Sequence, residues 1–93
     1  MTHRVGHDDS ALLRNPQVVL ERVGNEAILY DRQSGRVHVV NGSAARLWDL
    51  VDGESTLDEV AARFAASYSM PVSVVRADVE ELFVTFRDRS LLR

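Results

Sequence analysis

The chain has 93 residues, 45 % of them hydrophobic, a formal net charge of −3 and no cysteine. That length holds one domain with a modest core, and the lack of cysteine removes disulfides and thiolate metal sites. The acidic balance disfavours sequence-independent nucleic-acid binding, which depends on neutralising phosphates.

In chain order, residues 1–14 are polar and aperiodic and read as a flexible N-terminal arm, with one domain over 15–93. "MTHRVGHDDS" has no apolar signal-peptide core, and no apolar run approaches the roughly 18 residues needed to cross a bilayer. A cytoplasmic protein without a membrane partner is expected. His3 and His7 stand four apart, followed by Asp8 and Asp9. Two histidines on an arm have no enclosing shell, so no metal site is expected there.

From Pro16 the pattern changes. "QVVLERV" ends at the turn pair Gly24-Asn25; "EAILYD" follows and gives way to "RQSG"; "RVHVVN" is a third short β-branched run. Three such runs broken by turn residues predict an antiparallel three-stranded meander. After Asn41 the apolar period moves from two toward 3.6. Asn41 or Ser43 serves as a helix cap, and Ala44, Leu47, Trp48 and Val51 form one apolar face that stops at Asp52-Gly53. Thr56 with Glu59 is a capping box. It opens a second helix to about Ser67, with Leu57, Val60, Ala61, Phe64 and Tyr68 on its inner side. Pro71 marks a third start, and Val72, Val75, Val79, Leu82, Phe83 and Phe86 make a wide apolar stripe. Val74 and Val84 widen that stripe further, either at the rim of the core or along a groove open to a partner. "SLL" at residues 90–92 is placed to pack back on the core. Strands followed by helices predict an α+β domain, winged helix-turn-helix-like, with the sheet first.

Catalytic chemistry finds no footing. His38 sits between valines within a strand, and Ser43 has no orienting carboxylate nearby, so the nucleophile, base and orienter roles stay unfilled. Asp58 and Glu59 lie in a first helical turn, where negative charge is favourable. Trp48 reads as core. No enzyme activity, cofactor or metal is expected. The third helix carries Asp78, Glu80, Glu81 and Asp88 against Arg76, Arg87 and Arg89, a poor composition for reading DNA. A winged-helix DNA-binding protein, or a small dimeric adaptor, remains an alternative.

The run "HVVNGSAARLWDLVDGESTLDEVAARFAASY…ADVEELFVTFRDRSLL" resembles the PqqD-like family, the precursor-peptide recognition elements. The pattern comprises Val40-Asn41 at a strand end, Ala45, Trp48, the Asp52-Gly53 stop, the Thr56 helix start, Tyr68, Asp78-Val79 and a closing Leu-Leu pair. Val40 and Ser90 depart from it, since the family often has leucine and glycine there. The resemblance implies non-catalytic binding of the leader region of a ribosomally made precursor peptide and its presentation to a maturation enzyme. That enzyme would be a leader peptidase of lasso-peptide systems, for which a stand-alone B1-type protein is expected, or the radical enzyme of pyrroloquinoline quinone biosynthesis, for which the chain would be a peptide carrier. It further implies strand addition at the third strand, through Arg36, Val37, His38, Val39 and Val40. Val75, Val79, Leu82, Phe83 and Phe86 of the third helix would line apolar pockets. Binding tighter than micromolar would need charge pairing from Arg36, Arg76 or Arg87. Whether Val37 and Val39, or Arg36, His38 and Val40, face the peptide stays open at this level.

Overall fold

The computed structural model describes residues 11–24 and 26–93; His3 and His7 lie outside them. Three strands precede three helices: β1 (Val18–Val23), β2 (Glu26–Asp31), β3 (Val37–Val40), α1 (Gly42–Leu50), α2 (Leu57–Ser67) and α3 (Val72–Asp88). The sheet is antiparallel with β2 in the centre, so the meander read from the turn residues is the one formed.

Register decides which side chains reach the core. Val18, Leu20 and Arg22 of β1 lie opposite Asp31, Leu29 and Ala27, and Leu29 and Ala27 lie opposite His38 and Val40. Residues opposite one another share a face. This set turns to the helices, and Leu29 is fully buried. The alternate set faces away: Val37 and Val39 are 53 % and 63 % exposed, beside the half-buried Ile28 and Tyr30.

Local chemistry fixes the connections. In the β2–β3 turn, Asp31 Oδ1 accepts from the backbone N–H groups of Gln33 and Ser34 at 2.8 and 3.2 Å, while Gly35 takes φ +77°, a conformation that favours glycine. Asn41, not Ser43, caps α1: its Oδ1 accepts from Ala44 N at 2.9 Å. The capping box of α2 is complete, with Thr56 Oγ1 accepting from Glu59 N and Glu59 Oε1 accepting from Thr56 N. α3 starts directly after Pro71.

The core lies between the sheet and the helices. Trp48 meets Phe86 edge-on at 5.8 Å between ring centroids, and Phe86 meets Phe83 likewise at 6.3 Å. Leu91 and Leu92 fold back into it, as the closing "SLL" foretold. Tyr68 departs from expectation. It stands just past the end of α2, 43 % exposed, against Phe64, because the helix ends one residue before it. Residues 11–14 lie along this body. Leu12 N donates to Ser55 O, and Arg93 N donates to Leu13 O. Arg14 sits over the Trp48 ring at 5.1 Å and donates to the Trp48 carbonyl at 2.7 Å.

Candidate functional site

β3 is an outer strand, paired with β2 on one side only among the described residues. The hydrogen-bond phase identifies which backbone groups are left over. Asp31 N donates to Arg36 O at 2.9 Å, so that pair is of the hydrogen-bonded class. Hydrogen-bonded and non-hydrogen-bonded pairs alternate along an antiparallel ladder. Leu29–His38 and Ala27–Val40 therefore carry the bonds to β2, whereas Tyr30–Val37 and Ile28–Val39 do not. The N–H and C=O groups of Val37 and Val39 point outward, two donors and two acceptors on an open edge. An unpaired edge of this kind is a template for a further strand.

The side chains divide the opposite way. Val37 and Val39 present backbone to the edge, while their side chains face away from the helices. His38 and Val40 present side chains on the helix-facing side. The question of which alternate residues look toward α3 is thereby answered: His38 and Val40, with Arg36 in phase with them.

Beyond the C-terminal end of β3 lies a hollow of about 370 Å³. Its floor and walls are Phe64, Tyr68, Met70, Val74, Val75 and Leu82, with Asn41 and Ser43 on the β3–α1 side and Asp78 and Glu81 on the rim. At the other end of β3, His38 feels the charge of Arg89, which closes α3. Residue 41 is thus near the first half of α3 and residue 38 near its end. The open edge of β3 thus runs between an apolar hollow shared with the first half of α3 and a basic region at the end of that helix, and this strip is the candidate groove.

The structure separates the α3 residues named from sequence. Val75 and Leu82 line the hollow. Val75, Val79, Phe83 and Phe86 are all buried in the hydrophobic core, and Val79, Phe83 and Phe86 do not border the hollow. Arg76 is engaged with α2: its guanidinium pairs with Asp58 at 2.6 Å and with Glu80 at 3.1 Å. Arg87 lies exposed in the last turn of α3. Of the two valines that overfilled the stripe, Val74 borders the hollow, and Val84 is exposed elsewhere. Sequence reasoning missed Phe64, Tyr68, Met70, Asp78 and Glu81 as members of this wall. The available signal was the cluster of large apolar residues around the α2–α3 turn, more than a sealed turn needs.

Electrostatics set the character of the groove. Burial pushes the Asp31 carboxyl up, but the amides of Gln33 and Ser34, the Ser34 hydroxyl and nearby His38 outweigh it, and its pKa lies below the usual carboxylate range. The pKa of His38 is pushed down by burial and by the charges of Arg89 and Arg36, against the pull of Asp31. Its Nε2 is shut off from solvent and has no hydrogen-bond partner among the described residues. No cluster of three or more His, Cys, Asp or Glu suited to a metal occurs among the described residues. No described helix is long and apolar enough to cross a membrane. What the arrangement offers is main-chain pairing beside an apolar hollow.

A family model described as coenzyme PQQ synthesis protein D (PqqD) matches residues 26–92. Two solved structures share the fold. TbiB1 in complex with the TbiA(beta) leader peptide superposes with a TM-score of 0.73 at 21 % identity, over 87 % of this chain and 94 % of that one. A lasso peptide synthetase B1 complexed with the leader peptide gives 0.74 at 15 % identity, over 90 % of this chain and 99 % of that one. No curated protein matches the chain.

Proposed function

The chain belongs to the PqqD family, and from that premise and the groove beside β3 we propose that it binds the leader segment of a ribosomally made precursor peptide and presents it, without catalysis of its own, to a maturation enzyme. The observation that carries this reading is the alternation along β3. Val37 and Val39 hold four backbone groups toward an open edge, and the neighbouring hollow accepts apolar side chains. An extended peptide adding to such an edge gains affinity from main-chain bonds and selectivity from pockets for alternate side chains. Four bonds at about 1 kcal/mol each barely offset the roughly 2–5 kcal/mol needed to order a flexible segment. Apolar anchors in the hollow are therefore required, at about 2 kcal/mol each.

The partner enzyme is a leader peptidase on this reading, and the complex works in the cytoplasm. Both similar structures hold leader peptides on B1 proteins of this fold, which supports the lasso-type assignment. The family's association with coenzyme PQQ synthesis supports a second assignment, a peptide carrier in pyrroloquinoline quinone synthesis.

Calorimetric titration with synthetic leader peptides of ribosomally made precursors tests the reading. Binding in the micromolar range is expected, and Val39→Pro, which deletes an outward N–H while leaving the β2 ladder intact, should weaken it at least tenfold. Equal affinity for the folded Val39→Pro chain would remove strand addition at β3 from the account.

A further inference from the structure

The two ends of the groove differ in charge. At the C-terminal end of β3 the apolar hollow is rimmed by the carboxylates of Asp78 and Glu81. At the N-terminal end stand Arg36, at the mouth of the turn, and Arg89, at the end of α3, with His38 between them close enough to feel both. The one acid that His38 also senses, Asp31, is committed to the turn through the amides of Gln33 and Ser34. Among the described residues neither Arg36 nor Arg89 forms an ion pair. The Nε2 of His38 is buried there without a partner. An unmet polar atom of this kind costs free energy until something satisfies it.

A strand added antiparallel to β3 forms its hydrogen-bonded pairs with Val37 and Val39. The guest residue opposite His38 then occupies a non-hydrogen-bonded pair, where side chains approach most closely, and it faces the same side as His38. The guest residue two positions earlier lies opposite Val40, beside the hollow. We propose that the position opposite His38 is a selective subsite for an aspartate or glutamate side chain. Its carboxylate pairs with the guanidinium groups of Arg36 and Arg89, beside the His38 ring. The acidic rim at the other end repels the same side chain, so the groove also sets direction. The recognised peptide carries an apolar residue for the hollow and, two to four residues toward its C-terminus, an acid. This inference rests on the peptide-binding reading and specifies the ligand of that site.

A display library of random ten-residue peptides, selected on the full chain, tests it. Enriched peptides should show an apolar residue followed two to four positions later by Asp or Glu. Arg36 and Arg89 are surface side chains; the Arg36→Gln/Arg89→Gln chain should lose that acid preference, and Arg36→Glu/Arg89→Glu should turn it toward Lys or Arg. For one selected peptide, replacing its acid by the amide should weaken binding to the unaltered chain about tenfold and to the Gln double variant less than twofold. The direct comparison on the unaltered chain stands even where a variant fails to fold. Enriched apolar peptides without an acid preference, or a preference unchanged in the variants, would overturn the subsite while leaving peptide binding in place. Enrichment of no peptide at all would overturn both.

Discussion

Val39 serves two surfaces at once: its side chain faces solvent and its backbone faces the open edge. Neighbouring α3 residues divide in a comparable way. Phe83 is core and Leu82 borders the hollow. Phe83→Ala should cost about 3–5 kcal/mol of stability, read by urea unfolding, whereas Leu82→Ser should cost far less stability and act mainly on peptide affinity. The reverse ranking would place the groove on the wrong side of α3. Ser90 carries φ +60°, a left-handed conformation that disfavours residues with a Cβ by about 1–2 kcal/mol. Ser90→Gly should therefore raise the unfolding midpoint, with a gain of about 1 kcal/mol after glycine's entropic cost; an unchanged or lower midpoint would contradict that strain. This residue was visible in the sequence as a departure from the family pattern, but its conformation was not.

At the scale of elements, the junction between α1 and α2 is held by one carboxylate. Asp52 accepts from the amides of Glu54 and Ser55 at 2.9 and 2.8 Å, and these bonds, with the Ser55 hydroxyl and Arg63, hold its pKa at about 2 against an ordinary 3.8. A folded-state pKa below the unfolded value favours folding above the unfolded pKa, and that contribution fades as pH falls from about 4 toward 2. Thermal unfolding of Asp52→Asn should show a lower midpoint than the unaltered chain at pH 7, with the two converging near pH 2. A gap that stays constant across this range would mean that the carboxylate charge is not the cause. Elements were legible in sequence wherever one local signal sufficed: Thr56 with Glu59 for the start of α2, Pro71 for α3, and the period change after Asn41 for α1. Sequence alone leaves the cap of α1 between Asn41 and Ser43, because both can accept a bond from a nearby amide and only the backbone path chooses. Glu80, the i+4 partner of Arg76, is visible in the sequence, whereas its 2.6 Å partner Asp58 belongs to another helix and no local pattern shows it.

For the whole molecule, a sheet packed on one face against the helices leaves an outer strand with an apolar hollow beyond its C-terminal end. The fold and the importance of β3 were readable from local patterns together with family resemblance. The walls of the hollow were not, since Phe64, Tyr68 and Met70 meet Val74 and Leu82 only after α2 and α3 pack. The same packing draws Val79, Phe83 and Phe86 into the core, a distinction that helical periodicity alone does not make. Strand addition at β3 is the claim on which the functional account depends, and residue-resolved amide hydrogen exchange with saturating leader peptide tests it most directly. The account predicts strong new protection at Val37 and Val39 and little change at His38 and Val40, whose amides already bond to β2. Protection gained uniformly along β3, or at neither Val37 nor Val39 while the peptide is bound, would contradict it.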